Sequence, residues 1–111
     1  MTVQDMMESL QLSLVAGEEG LEKKITTGFI CDLLSMVMAK AEEGSVWITI
    51  QGHINIVAVA SLVNISCIIV VQGTIVQADT IAKANEEKIP IFTTPCTAYE
   101  IAKKLIHIGI L

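Results

Sequence analysis

The chain has 111 residues, with 7 Lys and Arg against 12 Asp and Glu, a net charge of −5 and a pI of about 4.8. That length is one domain, and an acidic chain with no basic run beyond Lys23-Lys24 and Lys103-Lys104 lacks the footprint of a nucleic-acid binder. Hydrophobic residues make up 52% of it and the mean hydropathy is +0.63, more apolar material than so small a sphere hides easily, so a second subunit is expected against part of its surface.

Cys31, Cys67 and Cys96 are odd in number, widely spaced and without a C-x-x-C. They indicate neither a disulfide framework nor a zinc site, and they fit a reducing cytoplasm. The first ten residues, M-T-V-Q-D-M-M-E-S-L, carry acids where a secretory signal carries bases. A cytoplasmic location is therefore expected.

In chain order, residues 3–10 read as a short amphipathic helix, with Val3, Met6, Met7 and Leu10 on one face. Residues 11–15 alternate as a strand, Gly17-Glu18-Glu19-Gly20 is a turn, and 21–30 return as a second strand, which predicts a hairpin. Asp32 stands where an N-cap would open a Met-rich helix running to about Glu43, closed by Gly44.

From Gly44 to Ala78 there is no charged side chain. Charges seldom lie fully inside a protein unless paired, so this is the segment the fold buries best. Residues 54–71 are long enough to cross a bilayer. Asn55, Ser61, Asn64 and Ser66 interrupt them, however, and no Lys/Arg cluster sets an orientation. The segment divides instead into a β-branched run at 46–50, a helix at 54–63 and a second β-branched run at 65–71. Strands apolar on both faces belong in a parallel sheet. A helix at 76–87, a strand at 89–93 and a helix at 98–107 repeat the unit. Thr97-Ala98-Tyr99-Glu100 is a capping box for the last helix. The fold class is α/β, with three parallel strands and an antiparallel N-terminal portion in one layered domain.

Ligands of a parallel sheet sit beyond the carboxyl ends of its strands. Three loops fall there. The first offers Gln51, Gly52, His53 and Asn55, the second Gln72, Gly73 and Thr74, the third Thr94 and Thr97. Amides, hydroxyls and helix N-termini of this kind can hold an anion or a nucleotide edge without a lysine. Polar residues and a glycine are also what any tight turn needs. His53 is the one histidine in these loops, and no acid or base adjoins it. His107 ends the last helix, where the helix dipole favours a cation. Cys96, between Pro95 and a helix start, has the setting of a reactive thiol but no neighbouring histidine. There is no Walker loop, no G-x-G-x-x-G, no catalytic carboxylate pair and no metal-ligand cluster. No cofactor is implied, and the equipment of an enzyme is missing. A small enzyme working through His53 or Cys96 is the least favoured of three readings. The others are a regulatory module that binds a small anionic metabolite or nucleotide, and an interaction domain that docks a protein partner.

The order of elements, with G-F-I-C-D-L-L-S-M-V-M-A, I-T-I-Q-G-H-I-N-I-V-A-V-A, C-I-I-V-V-Q-G and A-N-E-E-K-I-P-I-F-T-T, resembles the DRTGG domain family over nearly the whole chain. Members of that family occur between CBS domains in regulatory pyrophosphatases, inside phosphate acetyltransferases, and as small free-standing bacterial proteins. The resemblance implies a three-layer α/β sandwich like the N-terminal domain of HPr kinase/phosphorylase, a mixed and largely parallel sheet, and a regulatory role. The kinase activity of that enzyme resides in a separate P-loop domain. The signature itself is degenerate here. Gly52-His53 stands where the family has Asp-Arg, and Val71-Gln72-Gly73 where it has Thr-Gly-Gly. An imidazole does not reproduce an arginine fork.

The apolar sequence of 54–63 suggests a helix needing cover on more than its sheet side, so a homodimer built on that helix is expected. No membrane contact and no nucleic acid are expected.

Overall fold

The uncharged stretch 44–78 makes the two strands at the heart of the molecule and the helix between them. The computed structural model describes all of residues Met1–Leu111. The elements are α1 (Val3–Leu10), β1 (Ser13–Ala16), a 3-10 turn (Glu18–Gly20), β2 (Thr27–Ile30), α2 (Leu34–Lys40) and β3 (Ser45–Thr49), then α3 (Asn55–Leu62), β4 (Cys67–Val70), α4 (Ala78–Glu87), β5 (Ile91–Thr93) and α5 (Ala98–His107). One five-stranded sheet has the order β1-β5-β4-β3-β2. β2, β3, β4 and β5 are parallel, and β1 joins β5 antiparallel.

Every residue of β3 and β4 is buried. Side chains of a strand alternate between faces, so these strands feed two separate cores. Trp47, Ile68, Val70 and Ile91 pack with Val37 of α2, Ile56, Val57 and Ala60 of α3, and Ala84 of α4. Val46, Ile48, Cys67, Ile69 and Phe92 pack with Val3 and Met6 of α1 and Ile101 and Leu105 of α5. The result is three layers, helices on both faces of a mixed and mostly parallel sheet, as the sequence predicts. Each fully buried large aliphatic side chain contributes about 1.5–3 kcal/mol relative to exposure, which is why the charge-free segment belongs at the centre. The Trp47 indole N–H, the one polar group of that side chain, donates to the Cys31 carbonyl at 2.8 Å.

The predicted capping box forms at α5. Glu100 N–H donates to Thr97 Oγ1 at 3.2 Å, and Thr97 N–H donates to Glu100 Oε1 at 3.0 Å. Thr2 and Asp5 form a second box at α1.

Three expectations need correction. The hairpin does not form, because β1 and β2 lie on opposite edges of the sheet. Gly17, at φ +76°, sits so close to the Ile89 carbonyl that a Cβ there would be 2.0 Å from it, and its N–H donates to Asn85 Oδ1 at 2.7 Å. That pins the end of β1 beside β5. Residues 21–25 then pass under the start of α1, where Val3 N–H donates to Lys23 O at 2.9 Å, before β2 begins beside β3. Four strands, not three, are therefore parallel.

Asp32 does not cap α2. The N-cap is Leu33, without a side-chain bond. Asp32 Oδ1 accepts instead from Thr49 Oγ1 and from Ile50 N–H, both at 2.9 Å, so it ties the end of β3 to the end of β2.

Finally, α3 packs between α2 and α4, with Ile56, Val57, Val59 and Ala60 buried. Much of the cover that the sequence assigns to a second copy is supplied within the chain. No helix is long and apolar enough to cross a membrane.

Candidate functional site

The carboxyl ends of β3, β4 and β5 carry the three predicted loops, and backbone hydrogen bonds join them. Gln72 N–H donates to the Cys96 carbonyl at 2.8 Å, and Gly73 N–H to the Thr94 carbonyl at 3.0 Å. The loop after β4 is thus sewn to the loop after β5. Gln72 and Gly73 both hold positive φ, 60° and 69°, which turns their amides toward those carbonyls. The same bonds leave these two amides unavailable to an anion.

The loop after β3 is tied to α4 instead. The Gly52 carbonyl accepts from Gln77 N–H at 3.0 Å and from Thr80 Oγ1 at 2.9 Å. Gly52 is required there by proximity. A Cβ on it would lie 2.1 Å from the Ile75 carbonyl oxygen. Gln51 turns away, its side-chain amide donating to the Asp32 carbonyl. The amides of His53, Ile54 and Asn55 donate to no group of the protein. This is the ordinary condition of a helix start, and it favours negative charge.

Between the segment 73–76 and the β1–β5 edge lies a cavity of about 330 Å³. Gly73, Thr74 and Thr94 line it, so the structure brings three of the nine predicted residues together. Gln51, Gly52, His53, Asn55, Gln72 and Thr97 do not line it. Thr97 spends its hydroxyl on Glu100 N–H. The remaining lining is hydroxyls of Ser13 and Thr93 with the apolar surface of Val15, Ile75, Val76, Ile81 and Pro95. No lining residue is charged. Ile75 is 82% exposed at the rim.

Sequence reasoning missed Ser13 and Val15 because it paired β1 with β2. Only the antiparallel register Ser13↔Thr93 brings them to the site. Thr93 and Pro95 flank the predicted Thr94, and the alternation of β5 decides that Thr93 faces the cavity while Phe92 enters the opposite core.

Cys96 and His53 lie in different loops, and no hydrogen bond links them. The Cys96 amide donates to Thr94 Oγ1 at 3.2 Å, and the Cys96 sulfur is 3.9 Å from Lys104 Nζ. Burial pushes the Cys67 thiol well above its ordinary range, which keeps it out of thiolate chemistry. No group of three or more His, Cys, Asp or Glu is placed to hold a metal ion. The arrangement is suited to holding a ligand by shape and hydroxyl contacts.

The chain is thus a three-layer α/β domain with a hydroxyl-lined cavity beyond its parallel strands. No protein-family model matches the chain, and no curated protein matches it in sequence. Among solved structures, it is similar to the CBS and DRTGG domains of the regulatory region of the Clostridium perfringens pyrophosphatase, crystallised with the activator diadenosine tetraphosphate. The TM-score is 0.70 at 17% identity, over 95% of this chain and 46% of that one. At that identity the likeness is one of fold. The chain spans less than half the length of the pyrophosphatase fragment.

Proposed function

We propose that this chain is a non-catalytic regulatory domain of the DRTGG type, which binds a nucleotide-like ligand beyond the carboxyl ends of β4 and β5 and works as a homodimer in the cytoplasm. The observation that carries the ligand reading is the cavity between 73–76 and the β1–β5 edge. Its volume of about 330 Å³ is at the low end of the roughly 300–1,000 Å³ of ligand sites. It has room for one nucleoside-sized group rather than a dinucleotide. Hydroxyls of Thr74, Thr93 and Ser13 beside Val15, Val76 and Ile81 suit the edge and face of a heterocycle. With no cation in the lining, a bare phosphate gains little there. The unbonded amides at the start of α3 are among the anion-favouring groups at this end of the sheet, with the Lys104 ammonium beside Cys96 another. A nucleotide-activated regulatory region of the same fold supports the reading.

A thermal-shift titration tests it, with AMP, ATP, diadenosine tetraphosphate and inorganic phosphate as probes. A nucleotide at a hundredfold excess over Kd is expected to add about 2.7 kcal/mol to stability, and phosphate alone much less. Thr74→Val with Thr93→Val should abolish the shift, while His53→Ala should keep it. If His53→Ala abolishes it and the double variant does not, the ligand sits at α3 and not in the cavity. A flat response to every probe refutes the nucleotide reading and favours an interaction domain. That alternative rests on the exposed Leu33, Met36, Leu62 and Ile106.

A further inference from the structure

We infer that Lys103 and Lys104 of α5 hold the phosphate end of a nucleotide whose base occupies the hydroxyl-lined cavity. The ligand class is then a nucleoside di- or triphosphate rather than a monophosphate. The inference rests on the nucleotide reading of the proposed function and supplies the cations that the cavity lacks.

A second cavity, also of about 330 Å³, opens between the end of α1 and the later turns of α5. Lys103, Lys104 and His107 line it with Ser9 and Gln11, and no carboxylate does. The chain as a whole has a net charge of −5, so acids are plentiful partners for its lysines. Lys83 and Lys88 take them, pairing with Glu86, Glu87 and Glu19. Lys103 and Lys104 join no ion pair. The acids of the two helices are engaged along their own chain. Asp5 accepts from Thr2 N–H at 3.0 Å, Glu8 from Gln4 Nε2 at 2.8 Å and Glu100 from Thr97 N–H at 3.0 Å.

The helix dipole accounts for part of this cluster. It favours cations in a last turn, which Lys104 and His107 occupy and Lys103 does not. The ends of α1 and α5 bring about half a negative charge each. Two ammonium groups exceed that, and the cleft stays positive. Lysine meets phosphate as a point charge, and the His107 imidazole adds a hydrogen-bond donor.

The two cavities are neighbours. Gln11 lines the basic one and Ser13 the other, and two residues of chain span at most about 7 Å. Lys104 Nζ lies 3.9 Å from Cys96 Sγ. The Cys96 amide donates to Oγ1 of Thr94, which lines the hydroxyl cavity beside Pro95. A nucleoside fills that cavity, so the phosphates must leave it, and this rim leads them to the lysines. A monophosphate stops short of them.

Calorimetric titration with adenosine, AMP and ATP tests the inference. The proteins are wild type, the double variant Lys103→Gln with Lys104→Gln, and Lys40→Gln as a charge control at the end of α2. ATP is expected to bind wild type roughly tenfold more tightly than adenosine, with AMP close to adenosine, and the gain should shrink as salt is raised. Lys40→Gln should keep the gain. The double lysine variant should lose it and bind ATP and adenosine alike, which also shows that it folds. A gain that survives in the double variant overturns the inference and moves the phosphates to another group, the start of α3 first. A wild type that binds adenosine and ATP equally overturns it too, and leaves the nucleotide reading standing. If neither binds, the reading falls and the inference with it.

Discussion

Gly52→Ala separates a glycine needed for space from one needed for backbone conformation. A methyl on Gly52 would sit 2.1 Å from the Ile75 carbonyl oxygen and 3.2 Å from Val76 Cα. Both are backbone atoms, so no side chain can swing away. The segment 75–77 must move, at the roughly 1–3 kcal/mol typical of overpacking. Movement also stretches the two hydrogen bonds that the Gly52 carbonyl accepts from Gln77 and Thr80, at about 0.5–1.5 kcal/mol each. Together they predict a loss of about 2–6 kcal/mol and, at roughly 4 °C per kcal/mol for a domain of this size, a melting temperature lower by roughly 8–24 °C. Gly73→Ala is the comparison. Nothing lies within 4 Å of a Cβ there, and φ is +69°, so its cost is the left-handed backbone alone, about 1–2 kcal/mol. Thermal unfolding followed by circular dichroism reads both. A Gly52→Ala protein that melts at or above Gly73→Ala would refute the close approach of 52 to 75, and with it the shape given to the cavity.

Two more predictions follow from the fold. Val70 is fully buried at the centre of the sheet, paired with Thr49 on one side and Thr93 on the other. Val70→Asp should cost on the order of 4 kcal/mol or more and abolish the cooperative unfolding transition, while Val70→Ala, which only opens a small cavity, keeps it. Hydrogen bonds from the Thr97 amide and then the Thr97 hydroxyl hold the Glu100 carboxyl below its ordinary range. A depressed carboxylate stabilises above its unfolded pKa and stops doing so as pH falls through its folded one. Urea midpoints of wild type and Glu100→Ala should therefore differ near pH 7 and converge in acid below about pH 3. A gap that persists in acid would mean that the cap is not electrostatic.

Elements whose signal is local or compositional were legible from residue order alone. The absence of charge over 44–78 announced the buried strands, because no burial of unpaired charge is tolerated there. The Thr97–Glu100 box marked the start of α5 at its observed residue, because a cap is satisfied within four residues of chain. The three loops were placed correctly beyond the parallel strands for the same reason, since strand direction follows from the βαβ order.

What the sequence left open depends on contacts between residues far apart in the chain. Whether β1 pairs with β2 or β5 turns on the fit of Gly17 against Ile89, and nothing near residue 17 encodes residue 89. Asp32 reads as a cap in its own neighbourhood and becomes a clamp on Thr49 and Ile50 only when β2 lies beside β3. The cavity exists because Ser13 and Val15 reach Thr93 and because Gly52 lets Ile75 approach. Tertiary packing alone decides such distances, which is why three predicted residues share the cavity and six do not.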